Sequence, residues 1–492
     1  MNAIDLPDEH ATAAFASDIA AVAAPGDAIL LRGGLGAGKT AFARAFLRAF
    51  CNAPDLEVPS PTFTLVQTYD EGRLPAAHFD LYRISAPEEV DELGLFETLE
   101  TGIVLVEWPE RADISPAQGF DITLDIAGAG RVARIDTTGT AGPRLKRTRA
   151  LRAFLAANGN AAAIRRHVKG DASVRRYERV GAPPATSIVM DWPPVPHPPG
   201  SYGARAHWTH TVGPFITVAA ALREAGLSTP RVLAEDAGRG LLLLEDFGSE
   251  SVTVDGAPVR ERYAAAVDVL AHLHGRPRPQ NVAGAGQTRT LPAYDRKVMR
   301  FEHERFLDFF VRDDRSPVEA DAMVARFDDI WRPLYDRLSA ATPTWLLRDY
   351  HSPNLMWLGE REGVRRVGLL DFQDSLYGPA VYDVMSLLQD ARTTVPAELE
   401  TDLAARYLAA RRGDVDAAAF REEFAILGAH RNLRLVALFT RLAGEGRGEY
   451  AAHLPRCRAY LDRDLSHPVL SALAQWYEAV RARAEVEAGH EH

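Results

Sequence analysis

Two sets of residues in this 492-residue sequence have the types and spacing to move phosphate. The first is GGLGAGKT at 33–40, which fits G-x-x-x-x-G-K-[ST] with Gly33, Gly38, Lys39 and Thr40 in the required places. Together with Gly34 and Gly36, these glycines let backbone N–H groups turn inward around phosphates. Lys39 then reaches the terminal phosphates of a nucleotide, and the Thr40 hydroxyl ligates Mg²⁺. Such a site also needs a carboxylate at the end of a neighbouring strand, for the metal or the attacking water. Asp80 in HFDLYR and Glu107 at the end of IVLVE are the two candidates. The second set is Asp349 in LLRDYHSPNLMWL, Asn354 five residues later, and Asp371 in LLDFQD, seventeen residues beyond Asn354. Transfer of a phosphoryl group from ATP to a hydroxyl needs a carboxylate to accept the hydroxyl proton. It also needs an amide oxygen and a second carboxylate to hold Mg²⁺ on the phosphates. Asp349, Asn354 and Asp371 fill those roles in that order.

The elements that must position these residues are legible in the apolar pattern. AILL at 28–31 reads as a strand entering the glycine loop, and Phe42, Phe46 and Phe50 form one face of the helix that leaves it. IVLV at 103–106 and the alternating DITLDI and RVARID read as further strands, giving an α/β layer over 1–140. Residues 141–150 read as a basic linker, with helix at 149–157. SVRRYERV, TSIVMD and GLLLLEDFG then form a small mixed sheet, and long amphipathic helices prevail from 257 onward. The run PPVPHPPG at 193–200 reads as a loop and not a boundary. The expected organisation is therefore a P-loop NTPase domain (1–140), the linker (141–150), a kinase-like N-lobe (151–256) and a helical C-lobe (257–492). The two lobes together make a bilobal protein-kinase-like α+β domain.

Lysine usage sets this second domain apart from a protein kinase. The chain has only Lys39, Lys146, Lys169 and Lys297, so TSIVMD cannot supply a phosphate-pairing lysine. Arg175 and Arg176, in the Gly-led GDASVRRYERV, are the substitutes, since guanidinium forks suit phosphate. Adjacent strand residues point to opposite faces, so at most one of them faces the nucleotide. Glu245, at the end of the hinge-like GLLLLE strand, is grouped with the nucleotide-binding residues. Near the catalytic loop, Asp383 either pairs with Arg348 or caps a helix, His351 reaches the loop backbone, and Trp345 and Trp357 either stack on a sugar or pack in the core.

Composition excludes several classes. With 47% hydrophobic and 25% charged residues, a mean hydropathy of -0.16 and no long apolar run, the sequence reads as globular, with no membrane span. MNAIDLPDEH carries acids where a secretory signal carries bases, so the expected location is cytoplasmic. Cys51 and Cys457 are too few for a disulfide framework or thiolate zinc site, and fifteen scattered histidines add no zinc spacing. Residues 1–140 hold 9 Lys+Arg against 22 Asp+Glu, a net of -13, whereas 141–180 hold 11 against 2, a net of +9. The acidic unit is expected to dock on proteins with no strong direct binding of nucleic acid. The basic stretch reads as a solvated linker and helix face.

Behind the P-loop, VPSPTFTLVQTY (58–69), HFDLYRI (78–84), ELGLFE (92–97) and VLVEWPER (104–111) resemble the small bacterial TsaE ATPases that support threonylcarbamoylation of a tRNA adenosine. The resemblance covers roughly 5–140. It implies ATP hydrolysis coupled to partner proteins of the threonylcarbamoyl-transfer complex, with Thr62 in a switch-like loop, Asp80 and Glu107 at the catalytic centre and Trp108 beside it. Over about 149–490, GDASVRRY, VMDWPP, LRDYHSPNLMWL, GLLDFQDSLYGPAVYDVMSLLQDAR and HRNLRLVALFTRLA resemble aminoglycoside phosphotransferase-like kinases. Among these they are most similar to the AmgK type of anomeric sugar kinase, which acts on N-acetylmuramic acid and N-acetylglucosamine. That resemblance implies an amino-sugar substrate in cell-wall recycling, Asp349 as base, Asn354 and Asp371 as metal ligands, and one ATP and Mg²⁺ for each domain; the missing lysine belongs to its pattern. Alternatives are a nucleotide-operated binding module at the N-terminus, fused to a kinase for an aminoglycoside, choline or another small alcohol, or to a pseudokinase scaffold.

Overall fold

The computed structural model describes residues 3–112, 114–168, 175–313 and 315–488. Its compact units are Met1–Pro194 with Val232–Asp246, and Val195–Arg231 with Phe247–His492. In the first, the apolar runs around the P-loop are central strands of a seven-stranded sheet. The strands are β1 (Ile4–Leu6), β2 (Ala28–Arg32), β3 (Val66–Tyr69), β4 (Ala76–Asp80), β5 (Ile103–Glu107), β6 (Gly119–Ala127) and β7 (Gly130–Thr138). Their order is β1-β7-β6-β2-β5-β4-β3, with β6, β2, β5 and β4 parallel. Strands covered on both faces need near-continuous apolar sequence, which AILL and IVLV supply. Ile29 and Leu31 face α1 (Glu9–Val22) and α2 (Lys39–Phe50), while Ala28 and Leu30 face α3 (Leu95–Thr101). Phe42, Phe46 and Phe50 are buried and stacked along α2, with ring centroids 6.4 and 5.7 Å apart.

The expected basic linker is instead the start of a 17-residue helix, α4 (Ala141–Ala157). Its arginines mask an apolar stripe that serves two cores. Ala141 and Leu145 belong to the core of the seven-stranded sheet, and Leu151, Phe154 and Leu155 to that of a five-stranded sheet. This second sheet comprises β8 (Arg165–Val168), β9 (Arg176–Ala182), β10 (Ala185–Asp191), β11 (Val232–Asp236) and β12 (Leu241–Glu245), in the order β11-β12-β10-β9-β8. The basic excess is not a solvated face either. Arg144 forks onto Asp27 at 2.6 and 2.7 Å, Arg152 onto Asp18 at 2.7 and 2.9 Å, and Arg147 pairs with Asp191. Asp18 and Asp27 of the acidic first 140 residues, and Asp191 of β10, thus find counter-ions on α4.

The chain passes into the second unit at Pro194–Val195, inside the proline-rich run read as a simple loop. Residues 195–231 and 247–256 group with the helical part and not with the five-stranded sheet. The unit begins with α5 (Tyr202–Arg205) and α6 (Gly213–Glu224), then the hairpin β13 (Thr253–Val254) and β14 (Ala257–Pro258), α7 (Arg260–His274) and the hairpin β15 (Asn281–Gly284) and β16 (Gln287–Thr290). Next come α8 (Arg296–Glu302), α9 (Glu304–Leu307) and α10 (Pro317–Ala340). Two antiparallel pairs frame the loop that carries Asp349: β17 (Pro343–Leu346) with β20 (Leu376–Pro379), and β18 (Leu355–Trp357) with β19 (Val367–Leu369). Helices α11 (Val381–Leu388), α12 (Ala397–Ala410), α13 (Ala417–Gly444), α14 (Leu454–Leu465) and α15 (Ser471–Ala488) complete it. Among the described residues no helix is long and apolar enough to cross a membrane.

Candidate functional site

The P-loop joins β2 to α2, and Gly38 enters the helix at φ 102°, a conformation that favours glycine. Gly33 lies at φ 133°, where a Cβ would sit 2.2 Å from the Leu124 carbonyl oxygen. Lys39 donates from Nζ to the carbonyls of Gly33 (2.7 Å) and Gly34 (3.0 Å) and lies 3.5 Å from the Trp108 ring centroid. Burial lowers its pKa, opposed by Glu107, Glu110 and Asp80. The ends of β4 and β5 lie in register, Asp80 opposite Glu107. Glu107 Oε2 accepts the Thr40 hydroxyl at 2.9 Å, and Asp80 Oδ2 accepts those of Thr62 (2.7 Å) and Ser60 (2.9 Å). Gly36, Gly38, Lys39, Thr40, Asp80 and Glu107 are among the residues lining one cavity of about 340 Å³.

Sequence reasoning missed His78 and Arg131. His78 Nε2 lies 3.0 Å from Glu107 Oε1 and is fully buried; the H-x-D spacing on one strand, which puts both side chains on one face, was its signal. Arg131 of β7 donates to the carbonyls of Ala37 and Gly36, each at 3.0 Å, and no local pattern marks it.

In the second unit, Asp349 follows β17, Asn354 precedes β18, and Asp371 follows β19. Asn354 Nδ2 donates to the Asp349 carbonyl at 2.8 Å, which leaves its amide oxygen for another partner. Asp371 Oδ1 accepts from Gln373 Nε2 at 2.8 Å. Burial raises the pKa of the Asp349 carboxyl, and the Asp371 charge adds to the shift. Arg348 (φ 73°) and Asp371 (φ 56°) hold left-handed backbone, as Trp108 (φ 60°) does at the other site. Such conformations cost energy in non-glycine residues and are typical of functional loops.

Asp383 neither pairs with the Arg348 side chain nor caps a helix through its own side chain. It accepts the backbone N–H groups of Leu347 (2.6 Å) and Arg348 (2.9 Å), fixing the loop from α11. Burial pushes its carboxyl up to about 7 despite those two donors. The Arg348 guanidinium instead reaches Glu302 (3.1 Å) and the Ala206 carbonyl (2.8 Å). His351 Nε2 lies 3.4 Å from Asn354 Nδ2. Trp345 and Trp357 are core residues, with Trp345 donating to the Pro279 carbonyl at 2.7 Å.

The Gly-led turn at 169–174 lies outside the described residues. Alternation along β9 puts Arg176 with Glu178 and Val180 on the face toward α4, whereas Arg175 lies 5.0 Å from the Trp192 ring. Glu245 ends β12 opposite Ser187 of β10.

Both donor sets consist of oxygen: Thr40 with Glu107, and Asn354 with Asp371. That chemistry suits Mg²⁺. Among the described residues no group of three or more His, Cys, Asp or Glu side chains is arranged to hold a metal by itself.

The family model described as threonylcarbamoyl adenosine biosynthesis protein TsaE matches residues 6–133, and that of the phosphotransferase enzyme family matches residues 165–423. The N-acetylmuramate/N-acetylglucosamine kinase of Caulobacter vibrioides is 36% identical over 354 residues, covering 68% of this chain and 96% of its own length. That of Pseudomonas putida is 28% identical over 325 residues, or 64% and 87% of the two chains. The tRNA threonylcarbamoyladenosine biosynthesis protein TsaE of Rickettsia bellii is 44% identical over 105 residues, covering 21% of this chain and 72% of its own.

Proposed function

Because this chain belongs to the TsaE family over residues 6–133 and to the phosphotransferase enzyme family over residues 165–423, we propose that it is a bifunctional enzyme with two independent ATP sites. The N-terminal site hydrolyses ATP in support of tRNA threonylcarbamoylation, working with the proteins that carry out the transfer. The second site phosphorylates the anomeric hydroxyl of N-acetylmuramic acid or N-acetylglucosamine.

At the first site the P-loop N–H groups hold the phosphates, and Lys39 exchanges the Gly33 and Gly34 carbonyls for the terminal phosphates. Thr40 and Glu107 are the Mg²⁺ ligands, with His78 fixing the second Glu107 oxygen. Asp80, held by Ser60 and Thr62, orients the attacking water, and Trp108 keeps Lys39 in place. At the second site Asp349 accepts the proton of the sugar hydroxyl as its oxygen attacks the γ-phosphorus; the bond to the bridging oxygen breaks and ADP departs. Asn354 and Asp371 hold Mg²⁺, which neutralises charge developing on the phosphates.

The observation that carries the reading of the second site is the joining of three carboxylate and amide groups on one loop system: Asn354 Nδ2 donates to the Asp349 carbonyl, and the Asn354 carbonyl accepts the N–H of Leu370, the residue before Asp371, at 2.9 Å. Reciprocal variants test the two-site arrangement. Lys39→Ala should abolish sugar-independent ATP hydrolysis and spare sugar-dependent ADP release, and Asp349→Asn should do the reverse. Loss of both activities from either change contradicts it.

A further inference from the structure

With Trp345 and Trp357 in the core, the ring available to a sugar lies elsewhere. Trp208 is 44% exposed. It belongs to a segment tied to the phosphoryl-transfer loops at two points. The Ala206 carbonyl accepts the guanidinium of Arg348, the residue before Asp349, and Thr209 donates from its backbone N (2.6 Å) and its hydroxyl (2.8 Å) to Asp374 Oδ1, three residues after Asp371. Left-handed His207 (φ 58°) turns the chain between these ties.

Around Trp208 lies an aromatic and cationic surface. Its ring is 5.3 Å from Tyr202, which is 4.9 Å from Phe301. Arg205 lies 3.8 Å over Phe301, and Arg305 lies 3.6 Å over Tyr202. Among the described residues, neither arginine has a hydrogen-bond or carboxylate partner. Of the nearby acids, Glu302 is already shared by Arg348 (3.1 Å) and Arg434 (2.7 Å), and Glu445, whose charge also reaches Arg305, pairs with Arg441 at 3.5 Å. Burial lowers the Arg305 pKa, with Arg441 and Arg434 adding to the shift and Tyr202 and Glu445 opposing it. An anion brought here relieves this crowding of positive charge, and guanidinium groups bind carboxylates in bidentate fashion.

We propose that Trp208 and Tyr202 form the acceptor platform beside Asp349, and that Arg205 and Arg305 read a carboxylate on the sugar. This rests on the sugar-kinase reading of the second site. It assigns the site a preference for a carboxylate-bearing amino sugar, N-acetylmuramic acid, over its neutral counterpart, N-acetylglucosamine.

The test is steady-state kinetics of the full chain with each sugar. In Arg205→Ala/Arg305→Ala, the KM for N-acetylmuramic acid should rise about 10-fold more than that for N-acetylglucosamine, as loss of charged hydrogen bonds implies. Arg205→Lys/Arg305→Lys should recover part of that difference, and Trp208→Ala should raise both KM values together. Equal effects on the two sugars, or none, overturn the subsite while leaving the kinase reading intact. A wild-type chain that phosphorylates neither sugar overturns both.

Discussion

Arg165 offers the sharpest energetic test of how the first compact unit is built. Its side chain is 1% exposed and is shared between a helix acid and a strand acid. It forks onto Glu178 of β9 at 2.5 and 3.0 Å, reaches Asp18 of α1 at 2.6 Å, and donates to the Thr148 hydroxyl of α4 at 2.5 Å. Replacing it with methionine keeps most of the volume and strands the acids. Asp18 keeps Arg152, but Glu178 loses its bidentate partner in a dry site. Removing one partner of a buried pair costs about 3–5 kcal/mol. For a unit of this size each kcal/mol lowers the Tm by about 2–4 °C, so a fall of roughly 6–20 °C is expected. Urea and thermal unfolding of the full chain measure it. Arg165→Met/Glu178→Gln should recover part of the loss, because the stranded charge is gone. The loss should also change little with salt, since screening acts on exposed charges. A cost below about 1 kcal/mol, the range of an exposed pair, or a strong salt dependence refutes the argument.

Gly33→Ala should abolish ATP binding at the first site, because φ 133° and a Cβ 2.2 Å from the Leu124 oxygen force the P-loop out of shape; titration with a fluorescent ATP analogue reads this. Glu107→Gln, which removes a proposed Mg²⁺ ligand, should lower acceptor-independent hydrolysis while nucleotide binding persists, and retained binding of protein partners in that variant would favour a nucleotide-operated binding module. Burial pushes the Glu423 carboxyl up to about 7. The folded chain then keeps a proton that the unfolded chain loses above about pH 4.3, so this residue lowers stability as pH rises from there to about 7 and has no further effect above it. Glu423→Gln should remove that part of the slope, seen in urea midpoints across the window; an unchanged slope counts against the assignment.

The two candidate phosphate sites were legible because the residues proposed for them stand at short spacing. Eight residues define the P-loop, and Asp349, Asn354 and Asp371 are separated by loops whose lengths the reaction constrains. Strands buried on both faces were legible for a similar reason, since AILL and IVLV admit little else. Three features depended on distant contacts. Helix α4 was hidden because local charge dominates the reading of 141–150, and the acids that neutralise it, Asp18 and Asp27, lie more than a hundred residues away. Trp208 was overlooked in favour of Trp345 and Trp357 because sequence gives ring type and not exposure. The passage between units at Pro194 was missed because strand and helix signals flank the proline run equally. Helix α4 packs into the cores of both sheets of the first unit and pairs with acids beside each.

The central claim is the sugar kinase. Phosphorus NMR of the full chain with ATP, Mg²⁺ and N-acetylmuramic acid or N-acetylglucosamine tests it most directly, with Asp349→Asn as control. A sugar 1-phosphate signal that disappears in the control is expected, alongside inorganic phosphate that persists until Lys39 is also replaced. Inorganic phosphate alone with both sugars, or a sugar phosphate undiminished in Asp349→Asn, would contradict it.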